Sequence, residues 1–342
     1  MAANKWAVGD YVTGTFVVAS IEQKQGTRGG PFLAGKLQNK HGVIPFKRWN
    51  ATLYDDGTSA GGVSKGSVVY VNASVDAYEG VLQLIVQGWE IAVEGTYSEA
   101  DLIPHSPIES DVLWSEMLSH IERIGDAGLR EWLSAFVGDR QKAIRQAPAA
   151  IAMHHAYAGG LMEHINGLCR AAEQIALVYD VALDILIAGC VLHDIGKIFE
   201  LESFPSLDYT PIGNLVGHIC CGISEVSKSM LAWNGTVKVA KQYGVDKDNR
   251  LDRVEVPQHT RYHIMHIIAS HHGLAEHGAA RPPATLEAMI FHHLDMIDSR
   301  AWMFTQHIAA DQSGGEFTSL HRGLDARLWK RAGGEEEGGD AD

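Results

Sequence analysis

"VLHDIGKIFEL", residues 191–201, sets a histidine, an aspartate and a lysine within five positions of an otherwise apolar run. Such a run is built to be buried, and a buried charge is expensive unless it is paired or bound to a metal. His193, Asp194 and Lys197 therefore either satisfy one another in a structural network or hold something between them. His193 and Lys197 are four apart and share a helix face if the helix continues to Lys197, with Asp194 beside them.

The surrounding texture is helical from about residue 110 onward. "ESDVLWSEMLSHIERI" (109–124) places Val112, Leu113, Met117, Leu118, Ile121 and Ile124 on one helical face. "GLMEHINGLCRAAEQIALVY" (160–179) and "ATLEAMIFHHLDMIDSRAWMF" (284–304) continue the pattern, and no strand-rich region is expected to return. These segments carry more inward-facing polar groups: His164, then His218 in "VGHI", His271 and His272 in "ASHHG", and Asp295 in "HHLDMID". Any one of these histidines alone is an ordinary satisfied core residue. Taken jointly they converge from separate helical segments, which is how helical bundles build metal sites. A donor set of nitrogen and oxygen without thiolate suits Mn, Fe, Co, Ni, Zn or Mg ions.

Before residue 95 the pattern differs: short β-prone runs such as "YVTGTFVVASIEQ", "PFLAGKLQN", "HGVIPFKRW" and "VLQLIVQGWEIAV" are punctuated by glycines. Five short strands in this length predict a small closed barrel, the OB-like five-stranded type first among them. Phe16, Phe32, Trp49 and Tyr78 are aromatics that such a barrel could present to nucleic-acid bases, core packing being the alternative for most.

Composition bounds the class. The 342 residues are 46% hydrophobic and 20% charged, enough apolar material for two packed domains. No uninterrupted apolar stretch reaches membrane-spanning length, so no membrane partner is expected. The N-terminus shows no apolar segment of the signal-peptide kind. Four cysteines without a CxxC pair read as reduced thiols of a cytoplasmic protein. The net charge of −14 argues against a generally basic nucleic-acid binder, although residues 1–95 balance at eight basic and eight acidic. The last eleven residues, 332–342, hold five acids and no base and read as a disordered acidic tail.

The order His164, His193–Asp194, Asp295 resembles the signature of the HD-domain metal-dependent phosphohydrolases. More closely, "MHHAYAGGLMEH", "LHDIGKIFEL", "YTPIGNLVGHI", "ASHHG" and "IFHHLDMIDS", behind an OB-like barrel, resemble the YhaM-type 3′→5′ exoribonucleases. The resemblance spans the layout of residues 10–305 and is specific in the helical half.

It implies a multidomain β + α fold: an OB-like nucleic-acid-binding barrel over 1–95, a helical linker over 96–150, and an all-α HD domain over 151–331. It further implies metal ligation by His164, His193, Asp194, His218, His271 and Asp295, with two ions, Mn foremost, bridged by Asp194. His272 stands as an alternative to His271. Asp194 and Lys197 become the catalytic candidates, the lysine as a fixed positive charge near a phosphate oxygen. His154 and His155 are candidates for metal or substrate contact, with capping or core packing as the alternative. Asp298 reads as a support or an exposed acid, and Glu163 as solvated.

The implied activity is metal-dependent 3′→5′ hydrolysis of single-stranded RNA to nucleoside 5′-monophosphates, with ssDNA as a further substrate. Hydrolysis of a small or cyclic nucleotide, and a non-catalytic nucleic-acid-binding role, are the competing readings. A homo-oligomer stays open.

Overall fold

A computed structural model describes residues 6–26, 29–54, 59, 61–78, 80–150, 155–202, 208–243, 253–311 and 313–330. His154 and the acidic segment 332–342 lie outside the described residues. Two compact units divide the chain. One takes residues up to Pro104 together with those from Arg300 onward, and the other runs from His105 to Ser299. Among the described residues, no helix is long and apolar enough to cross a membrane.

In the first unit, strands β1 (Tyr11–Gln25), β2 (Pro31–Asn39), β3 (Gly42–Trp49), β4 (Val68–Tyr78) and β5 (Val81–Ile91) close a barrel in the order β1-β2-β3-β5-β4. The pairs are antiparallel except β3–β5, where Phe46 lies opposite Leu84 in a parallel pairing. This is the OB-like barrel that the sequence predicts. Side chains alternate between faces along a strand, so Val69, Val71, Ala73 and Val75 of β4 meet Phe16, Leu33, Leu37 and Phe46 inside. A bulge between Val18 and Ser20 bends β1 over β2. Helix α1 (Glu99–Leu102) follows the barrel.

The second unit contains α2 (Ser110–Glu122), α3 (Ala127–Gly138), α4 (Gln141–Gln146), α5 (Gly160–Ile175), α6 (Leu183–Leu192), α7 (Lys197–Glu200), α8 (Pro211–Tyr243), α9 (Gln258–Ser270) and most of α10 (Leu286–Ala310). Helix α6 is buried from Ile185 through Leu192, as expected of a helix that is apolar all round. Leu113, Met117, Leu129, Trp132 and Phe136 share its core with Leu161, Ile165, Ile267 and Phe291. Much of the stretch expected as a linker therefore supplies one wall of the helical core.

A hairpin of β6 (Phe317–His321) and β7 (Ala326–Trp329) follows α10 in the first unit. The sequence predicts no strand there, because the pattern is short and polar: Thr318 and Leu328 are its only buried strand positions.

The opening stretch does not continue as one α-helix. Helix α6 ends at Leu192, and the next turns wind more tightly, with Ile195 N–H bonding Leu192 O at 3.2 Å and Lys197 N–H bonding Asp194 O at 2.9 Å. In such 3₁₀-type winding, side chains three apart eclipse. Lys197 thus stacks over Asp194 and not His193. Gly196 lies directly against the α8 backbone, where a Cβ would fall 1.9 Å from the His218 carbonyl oxygen. Because a backbone atom is in the way, Gly196→Ala should destabilise the protein by about 3 kcal/mol, the upper end of ordinary overpacking. Urea denaturation followed by helical circular dichroism measures this, with Ile195→Val as the mild comparison.

Candidate metal centre

Asp194 is 4% exposed, and its two carboxylate oxygens face two different groups of donors. On one side, His193 Nε2 lies 3.2 Å from Asp194 Oδ2 and 3.2 Å from His164 Nε2, while His164 Nε2 lies 3.3 Å from Asp295 Oδ1. On the other, His218 Nε2 and His271 Nε2 lie 3.4 Å and 3.7 Å from Asp194 Oδ1. Donor atoms of His164, His193 and Asp295 gather within 4.8 Å of one another, and so do those of His218, His271 and His272. His271 and His272, read as alternatives from sequence, are brought to the same cluster.

Four of the five rings are oriented from behind. His193 Nδ1–H donates to Cys190 O (3.0 Å), His271 Nδ1–H to Ile268 O (2.8 Å), His164 Nδ1–H to Asp298 Oδ2 (2.8 Å) and His218 Nδ1–H to Glu200 Oε1 (3.0 Å). Occupying Nδ1 in this way fixes the tautomer and turns Nε2 inward, as in metal-ligating histidines. Glu200 also accepts from the His218 backbone N–H at 3.0 Å. That clamp requires the chain to turn at Gly217, whose φ of 77° breaks α8 into two helices. Behind the other histidine pair, Gly273 has φ 77° and a Cβ there would lie 2.4 Å from the His292 ring. His292 Nδ1–H donates to His271 O at 2.7 Å, from a position three residues before Asp295 on α10.

The electrostatics follow from burial. Desolvation opposes the charge on Asp194, but Lys197, His193 and His218 hold its carboxyl well below the usual range. Lys197 Nζ is 2.6 Å from Asp194 Oδ2 and also donates to Ala149 O. It is engaged by the carboxylate and this carbonyl, so a phosphate contact would require it to leave them. Burial pushes His271 well down, toward the neutral imidazole that ligates metals. Burial also disfavours a charged His164, yet hydrogen bonds and charges from Asp295 and Asp298 overcome it and raise its pKa to about 9.

These residues fit divalent cations. Asp194 Oδ1, His218 Nε2, His271 Nε2 and His272 Nδ1 are buried polar atoms without a hydrogen-bond partner among the described residues. Three of them converge on one point, where an unpaired donor or acceptor is costly unless something fills it. Ligands at about 2.1 Å from an ion stand roughly 3.0–3.4 Å apart. The 3.2–3.3 Å contacts of His164, His193 and Asp295 match that spacing.

Other sequence-selected residues fall around this centre or outside it. His155 is 7% exposed, bonds Tyr157 Oη through Nδ1 at 2.7 Å and sits 3.6 Å from Asp298 through Nε2. Glu163 is not left to solvent: it accepts from Ser106 Oγ (2.7 Å) and Tyr157 Oη (2.9 Å). Sequence reasoning missed Glu200 and His292, whose only signal is their place in "IFEL" and "FHHLD". In the barrel, Phe16 is core, Phe32 is 9% exposed, and Trp49 and Tyr78 are half exposed. Phe32 packs on Trp49 with ring centroids 4.7 Å apart.

Comparison with known proteins adds an independent line. A protein of Listeria innocua serovar 6a described as 3′-5′ exoribonuclease YhaM is 30% identical over 327 residues, covering 94% of this chain and 95% of the relative. A Listeria monocytogenes protein of the same description is 30% identical over 323 residues with the same coverage. One from Bacillus subtilis is 28% identical over 94% of both chains. No family model matches the chain. A solved aspartyl tRNA synthetase from Entamoeba histolytica shares 11% identity over 50% of this chain and 35% of its own, at a TM-score of 0.21, too slight a likeness to carry an argument.

The raised pKa of His164 sets an expectation for metal uptake. Below about pH 9 the ion-free imidazolium must lose a proton before Nε2 can ligate. Loading with Mn²⁺ at pH 7.5 should therefore release protons, and affinity should rise with pH up to about 9. Isothermal titration in two buffers of different ionisation heat counts the protons; equal heats in both would contradict this.

Proposed function

The chain belongs to the family of YhaM 3′-5′ exoribonucleases, and from that membership we propose that it shortens single-stranded RNA by metal-assisted hydrolysis, releasing nucleoside 5′-monophosphates. The observation that carries the metal dependence is Asp194, whose two oxygens are offered to two separate donor clusters. A pair of divalent ions, Mn²⁺ first and Fe, Co, Ni, Mg or Zn as alternatives, would supply a water nucleophile at neutral pH and neutralise charge on the phosphoryl oxygens.

The chain's own residues then divide the work. His164, His193 and Asp295 would hold one ion and His218, His271 and His272 the other, with Asp194 between the two groups. Asp298 and Glu200 fix the rings of His164 and His218 through Nδ1. Lys197 keeps the Asp194 carboxylate charged and oriented from outside the ligand set. In the barrel, half-exposed Trp49 and Tyr78 offer faces for unpaired bases, and Phe32 backs Trp49.

The scissile bond joins the 5′ phosphorus of the terminal nucleotide to the preceding 3′ oxygen. Water adds its oxygen to phosphorus, the 3′ oxygen leaves and takes up a proton, and the shortened strand keeps a free 3′-hydroxyl. The 2′-hydroxyl takes no part, so ssDNA should also be cut. A paired 3′ end should resist, because unpairing costs a few kcal/mol.

The test uses 5′-labelled RNA with Mn²⁺, resolved on a gel, with released nucleotides identified by mass. A ladder shortening from the 3′ end, with 5′-monophosphates released, is the expected result. EDTA and Asp194→Asn should each lower the rate at least 10³-fold, about 4 kcal/mol in the barrier. Release of 3′-monophosphates, or full activity in EDTA, would overturn this mechanism.

A further inference from the structure

The first unit carries a constellation that the metal centre does not use. On the outer face of β3, Lys47 Nζ lies 4.4 Å from the Tyr78 ring centroid and 5.9 Å from that of Trp49. Beside Tyr78 lies a cleft of about 460 Å³, lined in part by Pro45, Tyr78 and Val81 of the barrel and by His307, Leu320 and Arg322 of the C-terminal segment. Small-molecule sites span roughly 300–1,000 Å³. Tyr78, Val81 and Leu320 are each more than half exposed.

The C-terminal wall is firmly tied. Asp311 accepts from the backbone N–H of Ser319 (2.9 Å) and of Ser313 (3.0 Å) and from Lys330 Nζ (2.9 Å), pinning both ends of the β6–β7 hairpin. His307 Nε2–H donates to Ser319 O at 3.0 Å. A Cβ on Gly80 in the β4–β5 turn would stand 3.9 Å from Ser319 Oγ, so turn and hairpin abut.

The lining chemistry selects an occupant. The chain is strongly acidic, yet among the described residues no carboxylate lines this cleft. Arg322 has no ion pair among the described residues, and Lys47 stands at the neighbouring ring. An exposed aromatic face, an aliphatic wall and a guanidinium suited to phosphate match one unpaired nucleotide. A purely apolar partner would leave Arg322 desolvated and unpaired, which is unfavourable.

We propose that this cleft is a nucleotide subsite for the RNA strand, with a base against Tyr78 and Leu320 and its phosphate at Arg322. The β6–β7 hairpin is then part of the nucleic-acid interface. This rests on the reading that the barrel holds single-stranded RNA, and it adds a site contributed by a segment outside the barrel strands.

The experiment measures binding of a fluorescein-labelled twelve-nucleotide RNA to the full chain by anisotropy, in EDTA, with strand integrity checked on a gel. Arg322→Glu should weaken binding at least about tenfold, and Arg322→Ala should flatten the slope of log K against log salt by about 0.7, the loss of one phosphate contact. Leu320→Asp should weaken binding as well. Tyr78→Ala should weaken it roughly 5- to 150-fold, the range for one stacked base, and Tyr78→Phe should restore it. Thermal melting of each variant verifies folding. If Trp49→Ala and Tyr78→Ala weaken binding while folded Arg322 and Leu320 variants bind like the wild type, the subsite is overturned and the barrel reading stands. If none of the four positions matters, both fall.

Discussion

A single carboxylate buried among cations and imidazoles organises the helical unit. Removing Asp194 from water disfavours its charge, and Lys197, His193 and His218 more than compensate. The compensation works only at short range, so the elements carrying those groups must be brought within a few ångströms of one point. The tight turns after α6 bring Lys197 onto Asp194, Gly196 lets the α8 backbone approach, and the break at Gly217 swings His218 inward. Replacing any of these by a regular helix would leave a buried charge or imidazole without its counterpart.

The supporting shell follows the same logic one layer out. Four of the five clustered imidazoles turn Nε2 toward the centre, and an acceptor stands at Nδ1 of each of these four. Two are backbone carbonyls, Cys190 O and Ile268 O, each three residues before its histidine. The other two are carboxylates, Asp298 and Glu200, drawn from distant parts of the sequence. A carbonyl orients a ring but adds no net charge, whereas a carboxylate also favours the imidazolium. That difference agrees with His164 being raised by its acids and His271 being lowered by burial.

Much of this is legible in the sequence. Barrel and helical region separate because the short β-prone runs end near residue 95 and helical spacing follows. The members of the two donor clusters can be named because each polar group interrupts an apolar run. What cannot be read is who stands behind whom. Asp298 reads either as a support or as an exposed acid and Glu163 as solvated, and only the packing of α5 against neighbouring segments shows that they accept hydrogen bonds from His164, Ser106 and Tyr157. Lys197 shares His193's helix face only under α-helical winding, which the 3₁₀-type turns replace. The β6–β7 hairpin escapes because two buried positions cannot announce a strand. Residues 96–150 look like a connector because their apolar faces identify no partner until the core is seen.

The first unit is discontinuous, since its barrel strands end at Ile91 while the hairpin that abuts the β4–β5 turn begins at Phe317. Translation is vectorial, at about 5–20 residues per second. The barrel can close by local pairing as it leaves the ribosome, but the hairpin emerges roughly 10–45 s later, after the helical unit has been made. Domain maturation therefore runs out of sequence order: the first unit begins before the second and is completed after it.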